Sequence, residues 1–92
     1  MSFWKSLFGG GARSATPGAE PVTYNGFVIR PAPYLEAGQY QTAGTIEKEI
    51  AGTRREHRFI RADRFSAFED AARFAVLKAQ QLIDQKGDSL FE

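Results

Sequence analysis

The side chains best equipped for recognition chemistry in this chain are its arginines. Arg54, Arg55, Arg58, Arg61 and Arg64 fall within one short stretch, with Arg30 and Lys48 upstream. A guanidinium presents a rigid fork of donors that matches phosphate oxygens and base edges. Carried on a strand, such a set can contact nucleic acid by laying an open sheet face into a groove. Glu47, Glu49, Glu56 and Asp63 are interleaved with these cations. Alternating signs on neighbouring strands also describe a solvated face of cross-strand ion pairs, and that plainer reading is the stronger one on the residues alone.

Chemistry of other kinds has little to stand on. His57 is the single histidine and the chain has no cysteine. No carboxylate cluster has ligand-like spacing, so neither a metal site nor a cofactor is expected. The same counts remove a disulfide framework and a thiol nucleophile. A general acid–base histidine needs a pocket, and a strand histidine on a polar surface is expected instead. Gly9-Gly10-Gly11 lacks the Lys-Ser/Thr ending and the preceding strand of a phosphate loop. No catalytic residue is assigned, and the chain does not read as an enzyme.

Two apolar clusters could meet a partner. Phe3, Trp4, Leu7 and Phe8 in MSFWKSLF would line one side of a helix, opposite Ser2, Lys5 and Ser6. So short a helix is not stable alone in water and needs an apolar surface to lie on. A membrane surface, a partner groove or its own domain would serve. Back-packing or disorder is the plainer alternative. Phe74 and Leu77 form the second cluster, off the main apolar stripe of the C-terminal helix. They fit contact with a partner, a second subunit or the N-terminal segment, although single exposed apolar residues are common.

The elements that must position these groups follow from patterning. The chain has 92 residues, 42% hydrophobic and 25% charged, which is one globular domain with a modest core. Residues 9–21, GGGARSATPGAEP, read as a flexible linker between a short amphipathic segment, 1–8, and a domain spanning 22–92. Asn25-Gly26 signals a turn, and Phe27 to Arg30 form a strand. Pro31 and Pro33 end sheet pairing or confine it to an edge. After a turn at Glu36-Ala37-Gly38, residues 39–50 make a second strand. Tyr40, Thr42, Gly44, Ile46, Lys48 and Ile50 share one of its faces. Beyond Ala51-Gly52-Thr53, Arg54 to Ala62 form a third strand of matching length.

A helix is predicted over 66–86. Ser66 and Glu69 have capping-box spacing, and Phe68, Ala71, Ala72, Ala75, Val76, Ala79, Leu82 and Ile83 make an apolar stripe ending before Gly87. The fold expected is α+β: a three-stranded antiparallel meander, β-β-β-α, packed on one C-terminal helix in two layers. No apolar run has the length of a membrane span and no secretory signal is seen, so the cytoplasm is expected. Net charge is only +1, but residues 47–64 hold six cations against four acids. The basic excess therefore sits in the long hairpin.

Several segments, taken together, resemble one family. They are MSFWKSLFGGG, TYNGFVIRPAPY, GQYQTAGTIEKEI, EHRFIRADRF and AARFAVLKAQQLIDQKGDSLF. The chain is similar over nearly its whole length to the HlyU family of small bacterial transcriptional activators. The resemblance implies a regulator of haemolysin-type genes. It brings no catalytic or ligand residue. The expected function is thus transcriptional regulation, by weak DNA contact through Arg-bearing strands or through a protein partner. An adaptor using the aromatic N-terminal segment and the Phe74/Leu77 patch is the alternative. Peripheral membrane association ranks third.

Overall fold

Three two-residue turns punctuate the sheet, and each has the same backbone. Asn25-Gly26, Ala37-Gly38 and Ala51-Gly52 have φ of 50° and 84°, 55° and 81°, and 53° and 80°. Positive φ at both central positions defines the turn whose twist matches that of paired strands. The computed structural model describes residues 19–92. The segment 1–8 and most of the linker 9–21 lie outside the described residues.

The strands are β1 (Val22–Tyr24), β2 (Phe27–Pro31), β3 (Tyr34–Glu36), β4 (Gln39–Ile50) and β5 (Thr53–Phe65). All pairing is antiparallel: β1 with β2, β2 and β3 with β4, and β4 with β5. Both β2 and β3 lie on the same side of β4. Val28 to Pro31 pair with Glu47 to Gly44, and Tyr34 to Glu36 with Gln41 to Gln39. They are in effect one strand interrupted at Ala32-Pro33. The Ala32 amide still donates to the Ala43 carbonyl at 2.9 Å, which bridges the gap.

The expected class, an antiparallel meander with one C-terminal helix, is the class observed. The sheet is larger than three strands because β1 and β3 join it. Pro31 sits inside β2, and pairing resumes after Pro33 rather than ending there. This is the edge-type tolerance of proline, whose missing N–H removes a single rung. β5 also continues past Ala62 to Phe65, through a register shift opposite Gln41 and Ala43.

Helix α1 spans Phe68–Lys86. Its N-cap is Ala67, in extended conformation and with no side-chain cap, so the Ser66–Glu69 capping box does not form. The chain leaves β5 at Phe65 and needs Ser66 and Ala67 to turn the corner. The first helical turn therefore starts too late for Ser66 to cap it. The other end is as the residues predict: the Gly87 amide donates to the Ile83 carbonyl. A 3₁₀ segment, Gly87–Phe91, follows.

Ala71, Ala72, Ala75, Ala79 and Ile83 face the sheet and are buried. Ala75, Ala79 and Ile83 meet Phe27, Ile29, Ile46 and Phe59, with Leu90 closing the end. The even-numbered face of β4 is the covered one. Gly44 on that face lets the Phe59 ring lie over its own cross-strand partner. A Cβ added there would come within 2.9 Å of the ring and 2.8 Å of the Arg30 carbonyl oxygen. The other sheet face has no layer over it among the described residues.

Candidate nucleic-acid interface

Side-chain alternation sorts the arginines before any contact is considered. Residues of β5 opposite the odd-numbered positions of β4 share the uncovered face. Arg54 stands beside Glu49, Glu56 beside Glu47, Arg58 beside Thr45, Ile60 beside Ala43 and Arg64 beside Gln41. From β2 and β3, Val28, Arg30, Tyr34 and Glu36 add to the same face. Arg55 pairs with Lys48 and so lies on the helix side. There it borders a surface depression with Ile50, Asp88, Phe91 and Glu92. Arg61 falls within the register shift. The five arginines are thus not one set: three share the open face, one is behind it and one sits at the irregularity.

Their electrostatic states differ as well. Glu47 is gripped from two sides, by Arg30 Nε at 3.0 Å and an Arg54 terminal nitrogen at 2.9 Å. Only 7% of Glu47 is exposed, because the two guanidinium arms lie over it. Burial alone pushes its carboxyl upward, but the hydrogen bonds and charges of Arg30 and Arg54 outweigh this and hold it below the usual carboxylate range. In return, Glu47 raises the Arg54 guanidinium further. This trio is a cross-strand ion pair of the kind the interleaved acids led us to expect.

Farther along the face the balance changes. Arg64 Nε donates to Gln41 Oε1 at 2.7 Å, while Gln41 Nε2 donates to the Arg61 carbonyl. Gln41 is neutral, so it orients Arg64 without cancelling its charge. Among the described residues no carboxylate pairs with Arg58, Arg61 or Arg64. The acids nearest along β5 are Glu56, two residues from Arg58 on the same face, and Asp63, next to Arg64 in the chain; neither forms an ion pair with these arginines. The uncovered face is therefore polarised. One half is neutralised around Glu47, and the other carries Arg58 and Arg64, with Arg61 at the adjoining register shift, beside Tyr34 and Ile60, which are 41% and 59% exposed.

His57 departs from expectation. It pairs with Ile46 on the covered face and is half-buried, not set in a polar surface. Among the described residues no group of His, Asp and Glu gathers in a way that could hold a metal ion. Gln41 is the residue that sequence reasoning missed. Its odd-numbered place on β4 was visible, but not the register that sets it opposite Arg64. Phe74 and Leu77 do lie together, although Phe74 is only half-exposed because its ring packs on Phe65 at 5.4 Å. Phe3, Trp4, Leu7 and Phe8 lie outside the described residues.

The domain these observations define is a thin two-layer α+β module, with a covered apolar sheet face and an open, charge-sorted one. The family model described as transcriptional activator HlyU matches residues 2–91, nearly the whole chain. The chain belongs to that family, a family of transcription regulators and not of enzymes. Comparison with curated proteins and with solved structures produced no match. No helix among the described residues is long and apolar enough to cross a membrane.

Proposed function

We infer that this regulator acts in the cytoplasm by contacting DNA phosphates through the uncompensated half of its open sheet face, with Arg58 and Arg64 on that face and Arg61 at the adjoining register shift as the contact residues. The observation that carries this reading is the division of the arginines. Glu47 ties down Arg30 and Arg54, Arg55 lies on the other face, and among the described residues no carboxylate pairs with Arg58, Arg61 or Arg64. Arg58 and Arg64 project from one edge strand, so a phosphate backbone can run along it. The Gln41 hydrogen bonds hold the Arg64 end of this track in place. Contacts of this kind position a protein on DNA and give a strong dependence on salt.

The test is titration of labelled duplex at several salt concentrations. With three phosphates neutralised, the slope of log K against log salt is roughly −2.7. Binding then weakens by roughly 40-fold between 50 and 200 mM salt. Replacing Arg58, Arg61 or Arg64 by Ala lowers the slope by about one each. Arg55→Ala, on the opposite face, leaves it unchanged. Absence of duplex binding at low salt removes direct recognition and leaves activation through a protein partner.

A further inference from the structure

Four half-buried aromatic rings and two exposed leucines form a continuous belt on the helix side of the sheet, at the N-terminal end of α1. Leu35 and Tyr40 are cross-strand partners, as are Tyr40 and Phe65. The Tyr40 ring meets Phe68 edge-on at 5.5 Å, and Phe65 meets Phe74 at 5.4 Å. Phe65, Phe74 and Leu77 line one surface depression, rimmed by Asp70 and Arg73. Leu35 and Leu77 at its two ends are 61% and 46% exposed. The helix buries its alanines against the sheet, while Phe68 and Phe74 beside them are only partly sheltered. An apolar surface of this extent, with a charged rim, marks a contact site.

The same chain holds an apolar segment of matching chemistry, so far without a role. Phe3, Trp4, Leu7 and Phe8 are followed by the Gly/Ala/Pro stretch of residues 9–21. Fully extended, such a stretch reaches about 43 Å. Val22, where this stretch meets the sheet, lies across β2 from Ile46, and Tyr40 of the belt is six residues along β4 from Ile46, about 20 Å of strand, so the belt is within reach. A tether of this length sets an effective concentration near the millimolar range, which no separate partner of ordinary abundance matches. Lys5 is cationic, and Asp70 at the rim of the depression offers it an acidic partner. We propose that the N-terminal segment of this chain docks on its own domain at this belt, with Phe3, Trp4, Leu7 and Phe8 covering Leu35, Phe65, Phe74 and Leu77.

Trp4 is the sole tryptophan, so its emission reports docking in the full chain without a label. The expected result is a blue-shifted emission with weak acrylamide quenching. Both should revert toward those of a free indole in Leu77→Glu and in Leu35→Glu. Each substitution falls at an exposed position, so far-UV circular dichroism and the melting temperature should stay close to wild type. A conservative Leu77→Met should keep Trp4 shielded. Quenching of wild-type Trp4 like that of a free indole overturns the proposal, as does shielding that neither Glu variant disturbs. Shielding lost on dilution assigns the occupant to a second copy and overturns docking within one chain. Shielding that appears only on adding anionic vesicles assigns the segment to a membrane surface, with the same consequence.

Discussion

Thr42 is the least satisfied side chain in the described core. It has no exposure, and its hydroxyl has no hydrogen-bond partner. A buried polar group without a partner costs about 1–3 kcal/mol, and valine has the same shape without the hydroxyl. Thr42→Val is therefore expected to stabilise the domain by about 1 kcal/mol, read as a rise in the urea midpoint at unchanged slope. Glu47 shows the opposite condition, a nearly buried charge that is fully partnered. Glu47→Gln keeps the shape but replaces two charge-assisted bonds by neutral ones, and should cost about 1–2 kcal/mol at neutral pH. Its folded-state pKa is depressed below the ordinary 4.5. The associated stability is present above that value and disappears as pH falls through the folded pKa. The gap between wild type and Glu47→Gln should accordingly narrow below about pH 4.5, which acid titration of thermal stability measures. Residue identities alone disclosed that acids alternate with arginines. Which acid takes which arginine depended on strand register, and one register places two guanidiniums on a single carboxylate.

Among the elements, α1 and the β4–β5 hairpin were the most legible, because each carries a long periodic pattern of its own. Turns were legible too, since Asn-Gly and Ala-Gly between apolar alternations admit the required positive φ. The first turn of α1 was misjudged for a physical reason. Ser66 has the right chemistry for a cap, but the corner out of β5 uses it as connecting chain. The cap position falls to Ala67, at φ −110° and ψ 136°, a conformation suited to a capping residue. Ala67→Ser should then add about 1 kcal/mol, visible as a higher melting temperature and slower amide exchange in the first turn. Short strands escaped notice because three residues hold too little pattern. β1 and β3 exist because neighbours offer them a ladder, not because their own residues demand one.

At the scale of the whole molecule, the C-terminal end acts as a latch between layers. Lys48 Nζ donates to Asp88 at 2.8 Å and lies 4.5 Å from the Phe27 ring centre. Phe91 stacks on Phe27 at 6.1 Å, and Leu90 is buried in the core. Tyr24 Oη donates to both Asp84 oxygens at 2.9 and 3.1 Å, joining β1 to α1. Leu90→Ala should cost about 2–3 kcal/mol, since it opens a cavity where sheet, helix and 3₁₀ segment meet; chemical denaturation checks this. By itself, the order of residues determined the α+β class, the helix and the long hairpin, because these depend on periodicities of 2 and 3.6 within one segment. The residues that resemble the HlyU family were likewise present in the linear chain. Only the tertiary structure decided that Pro31 and Pro33 interrupt a strand without ending it, that Arg55 and His57 face the helix side, and that no carboxylate among the described residues pairs with Arg58, Arg61 or Arg64. Those outcomes rest on pairings between residues far apart in the chain, where a one-residue slip would exchange the two faces, and no local pattern encodes them.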